Sequence, residues 1–298
     1  MASIALPFYA TADTLPQSLP TEDEIESSLE VFVDQTARKV VGVGPNFVVK
    51  YGLAVDLIEG ENMLHIAQNT SVPVPRIYAL YSNPKTMKRY IVMERSAGET
   101  LASLWPNLVA TQKMAIAQSL RRAMDQLRRL PSPGGYCSVG NRPLQDSIFW
   151  TGDDKNTSSI NGPFATEDEL NAAMIQKYAF NNLPAQKADF YARTFKKILQ
   201  SHPPVFTHGD LQRKNILVRL PLPPVGELSD AEIIAQDFEI TILDWEVAGW
   251  YPSYWEYSRA MLGCGRWDDD WHVFLAQILE EFLSEWAWVD MMFKELWS

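Results

Sequence analysis

The stretch His208-Gly209-Asp210-Leu211-Gln212-Arg213-Lys214-Asn215 places an asparagine five positions after an aspartate, and Ile242-Leu243-Asp244 ends a later apolar run on a second aspartate. Phosphoryl transfer from a nucleoside triphosphate needs such a set. One carboxylate stands beside the attacking hydroxyl, and an asparagine and another aspartate hold Mg²⁺ on the phosphates. A lone His-x-Asp carries little, because a loop aspartate is usually a turn former. Here Pro204-Val205-Phe206 before the loop and Ile216-Leu217-Val218 after it read as framing strands. Asp210 is then the residue that positions the hydroxyl, Asn215 and Asp244 are the metal ligands, and His208 is expected to brace the loop from within.

Upstream, Lys50 closes the apolar run Phe47-Val48-Val49 and is the candidate contact to the α- and β-phosphates, oriented by a glutamate on the next helix. Glu61 is the preferred partner. It shares a helical face with Leu57 and Leu64 and so points inward, where an unpaired carboxylate is costly. Glu59 lies on another face and is the weaker choice. Gly42-Val43-Gly44-Pro45-Asn46-Phe47 offers part of a phosphate loop, with Gly44 as candidate contact, though the third glycine is missing and Pro45 removes a donor. Past Asp244, the residues expected to meet an acceptor are Glu246, Trp250, Tyr251, Trp255 and Glu256. The run Asp268-Asp269-Asp270 is expected instead to complement the positive end of the following helix.

Composition sets limits on what these residues can serve. A net charge of −11 disfavours nucleic acid, whose phosphates need a basic surface. Residues 244–298 hold eleven acidic against three basic residues and eight of the ten tryptophans, a composition suited to a cationic small molecule, although most of those rings are expected in the core. No apolar run of about 18 residues is present, which argues against a membrane span. The first residues lack a basic segment and apolar stretch of the secretory kind. Two cysteines give no disulfide framework and suit a reducing, cytoplasmic setting.

The elements that must position the chemistry follow from periodicity and punctuation. Residues 1–20 read as an arm. Thr21-Glu22-Asp23-Glu24 is a capping box that opens a short helix to about Val33. Strands at 39–44 and 47–51, a helix at 55–68 and strands at 77–81 and 89–93 make residues 21–95 a small β-rich lobe. Residues 96–298 are mainly helical. They contain an amphipathic helix through Ile116, Leu120, Ala123 and Leu127, helices at 166–180 and 189–201, and one long final helix from Trp271 through Trp286. Asn215 and Asp244 are separated by an excursion over residues 220–237, in which Ser229-Asp230-Ala231-Glu232 would cap a turn of helix.

Taken with Tyr90-Ile91-Val92-Met93-Glu94, Phe206-Thr207-His208-Gly209-Asp210 and Leu243-Asp244-Trp245-Glu246-Val247-Ala248-Gly249-Trp250-Tyr251-Pro252, the chain resembles the aminoglycoside phosphotransferase and choline kinase family, relatives of protein kinases. The resemblance implies a two-lobed α+β fold and an ATP- and Mg²⁺-dependent transfer to a small-molecule hydroxyl, with an amine-bearing acceptor in keeping with the acidic C-terminal composition. It also implies that Met93 and Glu94 form the linker whose backbone meets adenine. Two other readings stand beside it: a kinase-fold scaffold that no longer transfers phosphate, and a protein kinase. The intact set of Asp210, Asn215 and Asp244 argues against the first. Gly209 in the loop and the lack of an Ala-Pro-Glu segment after Asp244 argue against the second.

Overall fold

The structure is a computed structural model and describes residues 4–152, 158–219, 238–265 and 267–297. Its N-terminal lobe is an antiparallel sheet of six strands, β1 (Phe8–Tyr9), β2 (Val31–Gln35), β3 (Arg38–Val43), β4 (Phe47–Gly52), β5 (Ile77–Ser82) and β6 (Arg89–Glu94), in the order β1-β5-β6-β4-β3-β2. Alternation along β4 gives the sheet two faces. Phe47, Val49 and Tyr51 turn outward onto Ile25 of the short helix α1 (Glu22–Glu26), while Val48 and Lys50 turn toward the second lobe.

Three sequence expectations change here. The capping box at Thr21 forms, but α1 stops at Glu26, and Val31–Gln35 is a strand. Ser27 and Ser28 turn their hydroxyls to backbone carbonyls and so compete with helix continuation. The segment expected as an arm contributes a strand, since Phe8 and Tyr9 pair with Leu80 and Ala79 and extend the sheet. The long terminal helix is two helices broken at Leu279–Phe282. The apolar period runs through the break because Leu279 and Phe282 both pack into the core, and periodicity reports burial rather than helix continuity.

Helix α2 (Ile58–Asn69) crosses between the lobes. The C-terminal lobe carries α3 (Leu101–Leu104), α4 (Ala110–Leu127), α5 (Ser158–Asn161), α6 (Glu167–Phe180), α7 (Ala185–Ile198), α8 (Trp255–Leu262), α9 (Trp271–Ile278) and α10 (Leu283–Leu296). Two small sheets hold its working edge. In one, β9 (Ile216–Arg219) lies between β7 (Glu99–Thr100) and β10 (Glu239–Ile242), and in the other β8 (Pro204–Thr207) pairs with β11 (Gly249–Pro252). The apolar core is continuous from Ile91 and Met93 of the small lobe to α4 and α9. Hydrogen bonds tie the lobes as well, with Asn62 Nδ2 donating to Trp245 O at 2.7 Å and Ile242 N–H to Pro73 O at 3.0 Å. The excursion at 220–237 and the Ser229 cap lie outside the described residues.

Candidate active site

Lys50 is the centre of a buried charge cluster. Its Nζ lies 2.6 Å from Glu59 Oε2, 3.0 Å from Asp244 Oδ1 and 2.9 Å from Glu246 Oε2. The partner on the helix is therefore Glu59, not Glu61. Glu61 does point inward, but it receives both Nη atoms of Arg142 at 2.9 and 3.1 Å. The first half of α2 is buried nearly all round, so one inward face cannot single out a residue. A Cβ on Gly60 would collide with Leu80, and this close approach of helix to sheet brings Glu59 to the strand that carries Lys50. The signal in the sequence was the stripe Glu59, Met63 and Ile66, whose apolar members are fully buried.

The electrostatics follow from that packing. Burial works against the Lys50 charge, but Glu59, Asp244 and Glu246 outweigh it and hold the ammonium well above its ordinary pKa. Burial pushes the Glu59 carboxyl up to about 7 against the opposing pull of Lys50. Burial would also raise Asp244, yet Lys50 at 3.0 Å dominates and keeps that carboxyl below its usual range. Asp244 itself is held at φ 63°, a left-handed conformation that aspartate tolerates better than most residues.

The loop between β8 and β9 presents Asp210 on the same rim. Asn215 Nδ2 donates to Asp210 Oδ2 at 2.8 Å and to Asp210 O at 3.0 Å, and Gln212 Nε2 donates to Oδ1. Leu243 N–H donates to Asn215 O at 2.8 Å, so the β9–β10 hairpin brings Asp244 back beside Asn215, as its spacing predicts. His208 is fully buried. Its Nδ1 accepts from Asp210 N–H at 3.1 Å, which leaves the proton on Nε2 to donate to Leu243 O at 2.9 Å. One imidazole thus fastens the Asp210 loop to the Asp244 strand.

Gly44 is not near this cluster. It sits in the β3–β4 turn at φ 60°, at the end where Phe47 pairs with Glu94. The turn that reaches the carboxylates is β2–β3, through Arg38, whose Nη1 donates to Glu246 Oε2 at 2.8 Å. Gly44 is there because a non-glycine residue is strained at positive φ. Met93 and Glu94 do stand at the junction of the lobes, but the N–H groups of Glu94 and Arg95 donate to Arg76 O and Asn46 O.

The residues expected to meet an acceptor mostly do not reach one. Trp250, Tyr251 and Trp255 are fully buried. Tyr251 OH donates to Val247 O and accepts from Asp146 N–H, and Trp255 Nε1 donates to Asp146. Glu256 is buried beneath the Asp210 loop, where its carboxylate accepts from His208 N–H at 2.6 Å and Gly209 N–H at 3.2 Å. Burial raises its pKa against those bonds. Glu246 belongs to the Lys50 cluster. Asp269 caps Trp271 N–H and pairs with Arg213, while Asp270 binds Lys113 and Trp105, in line with the helix-terminus reading of that run. With these acids engaged, the C-terminal composition no longer argues for a cationic acceptor. Arg38, Arg142 and Gln212 were missed, because single polar residues in turns carry no periodic signal.

Comparison with known proteins bears on the fold and the family. No curated protein matches the sequence. Among solved structures, the chain is similar to aminoglycoside phosphotransferase APH(4)-Ia, with 16% identity, 93% of this chain and 95% of that chain covered, and a TM-score of 0.51. It is similar to a ternary complex of a thermostable mutant of that enzyme with AMP-PNP and hygromycin B at 15% identity, 91% and 89% coverage, and a TM-score of 0.52. The GDP and kanamycin complex of APH(2")-IIIa gives 14% identity, 91% and 81% coverage, and a TM-score of 0.51. At these identities the likeness establishes the two-lobed, kinase-like α+β fold. The model of the APH phosphotransferase enzyme family matches residues 57–292, and the chain belongs to that family.

Proposed function

We propose that this protein is an ATP- and Mg²⁺-dependent kinase that moves the γ-phosphate to a hydroxyl of a small molecule. The observation that carries the reading is the convergence of Lys50, Glu59, Asp244, Asn215 and Asp210, drawn from both lobes, on one rim. In it Lys50, fixed by Glu59, binds the α- and β-phosphates. Asp210, held on both oxygens by neutral amides, accepts a hydrogen bond from the acceptor hydroxyl and aligns it for in-line attack. As the hydroxyl oxygen bonds to the γ-phosphorus, the bond from that phosphorus to the bridging oxygen breaks, ADP leaves with the electron pair, and the hydroxyl proton passes to Asp210.

The donor set fits Mg²⁺. Asn215 commits its Nδ2 to Asp210 and so offers its amide oxygen, and Asp244 Oδ2 makes no hydrogen bond among the described residues. Three carboxylates against Lys50 and Arg38 leave the cluster net negative, which favours a hard divalent cation with oxygen ligands. Held by the Asn215 amide oxygen and Asp244, the metal would supply charge neutralisation for the phosphates. The free thiols Cys137 and Cys264 suit the cytoplasm, and among the described residues no helix is long and apolar enough to cross a membrane. The test is purified protein with ATP, Mg²⁺ and a broad panel of hydroxylated small molecules. Consumption of ATP with one acceptor class is expected, and absence of both nucleotide binding and consumption would overturn the reading.

A further inference from the structure

Gly42 lies in mid-strand without a positive φ, so its missing side chain answers to a neighbour rather than to a turn. A Cβ there would collide with Glu30 Oε2 and stand 3.1 Å from Arg95 Nη1. Those two side chains form a bidentate ion pair at 2.6 and 2.5 Å, and Arg95 Nη1 also donates to Gly44 O at 3.2 Å.

Register places the pair. Gly42 pairs with Val48, and Val40 with Lys50, so Gly42 faces the same way as Lys50, into the cleft. Glu30 lies directly opposite Gly42, whose N–H donates to Glu30 O at 2.9 Å. Arg95 follows Met93 by two residues and continues its face, and Met93 pairs with Val48. The ion pair therefore runs from the β2 edge to the lobe junction, across three strand spacings or about 14 Å, over the cleft face of β3 and β4. It crosses about 7 Å from the Lys50 row, on the side away from Arg38 and its bond to Glu246.

We propose that the Glu30–Arg95 pair is a strap across the base end of the nucleotide cleft, which an incoming nucleotide must displace. This rests on the reading that Lys50 binds nucleotide phosphates. A base extending from those phosphates toward Met93 passes along Val48 and Gly42, where the strap lies. The closed pair lowers apparent affinity by the fraction of molecules in which it is open. Gly42 makes room for the strap, which is why a glycine occurs there although no phosphate loop forms.

The test is calorimetric binding of Mg²⁺–ATP and Mg²⁺–GTP to the full chain and to Glu30→Gln, Arg95→Gln and the double variant. The pair is surface-exposed and its loss should leave the melting temperature nearly unchanged. Each single variant should tighten binding of any nucleotide that binds by about two- to five-fold, and the double variant should add nothing further. Unchanged or weakened binding in the variants, with wild-type binding intact, overturns the strap and leaves the proposed function standing. If neither wild type nor any variant binds nucleotide, the proposed function fails and the strap with it.

Discussion

Glu59 and Glu61 stand two residues apart on one helix, both buried and both ion-paired, yet they should respond differently to the same substitution. Glu59→Gln removes the carboxylate 2.6 Å from Lys50, where both side chains are at most 6% exposed. Breaking a buried pair costs about 3–5 kcal/mol when the surviving charge is stranded. Lys50 is not stranded, since Asp244 and Glu246 lie at 3.0 and 2.9 Å, so the loss should be nearer about 1–3 kcal/mol, the worth of one charged hydrogen bond. The functional loss should be larger. Without Glu59 the ammonium is no longer fixed from the helix side and leans toward Asp244 and Glu246, and loss of one positioned electrostatic group typically lowers turnover by about 10²–10³-fold. Glu61→Gln loosens Arg142, which is partly exposed, and should cost a similar 1–3 kcal/mol, roughly, while leaving turnover within about three-fold of wild type. Urea denaturation gives the first quantity and ATP turnover the second. If Glu61→Gln silences turnover while Glu59→Gln does not, the assignment of the lysine partner is wrong.

Two further outcomes follow from buried charges outside the Lys50 cluster. His202 is gripped by Glu167 at 2.7 Å and Glu285 at 3.3 Å; burial opposes its charge, but the two carboxylates prevail and raise its pKa. Its contribution to stability is full below the unfolded value of about 6.5 and is lost as pH rises through the higher folded value, so His202→Gln should abolish that part of the fall in melting temperature. Parallel curves for the two proteins would refute it. Glu256→Gln leaves one of the His208 and Gly209 N–H groups facing an amide N–H₂ and should destabilise by about 1–3 kcal/mol, with turnover reduced through a displaced Asp210. A variant of wild-type stability and activity would show that the buried carboxylate does not hold the loop.

The parts of the site readable from the sequence were those whose chemistry depends on local spacing. Asp210 and Asn215 share one loop, and a hairpin must return Asp244 to it, so the pattern of residue types carries the geometry. The Lys50 partner was not readable in that way. It depends on how α2 rolls against β5, which Gly60 and Leu80 decide through a contact between two separate elements. Glycine content was ambiguous at Gly42 and Gly44, because room for a neighbouring side-chain pair and a turn at positive φ demand glycine as a phosphate loop does. The acidic, tryptophan-rich composition after Asp244 misled similarly. Trp245, Trp250, Trp255 and Trp271 are core residues, and Glu256 faces backbone N–H groups that only the folded loop presents.

The central claim is that this rim transfers phosphate to a small-molecule hydroxyl, and γ-³²P-labelled ATP tests it most directly. With Mg²⁺ and a panel of hydroxylated small molecules, label should appear in an acceptor product with wild-type protein and be reduced by at least about 10²-fold with Asp210→Asn. Label that stays in ATP throughout the panel, or transfer that Asp210→Asn performs as fast as wild type, would contradict the account.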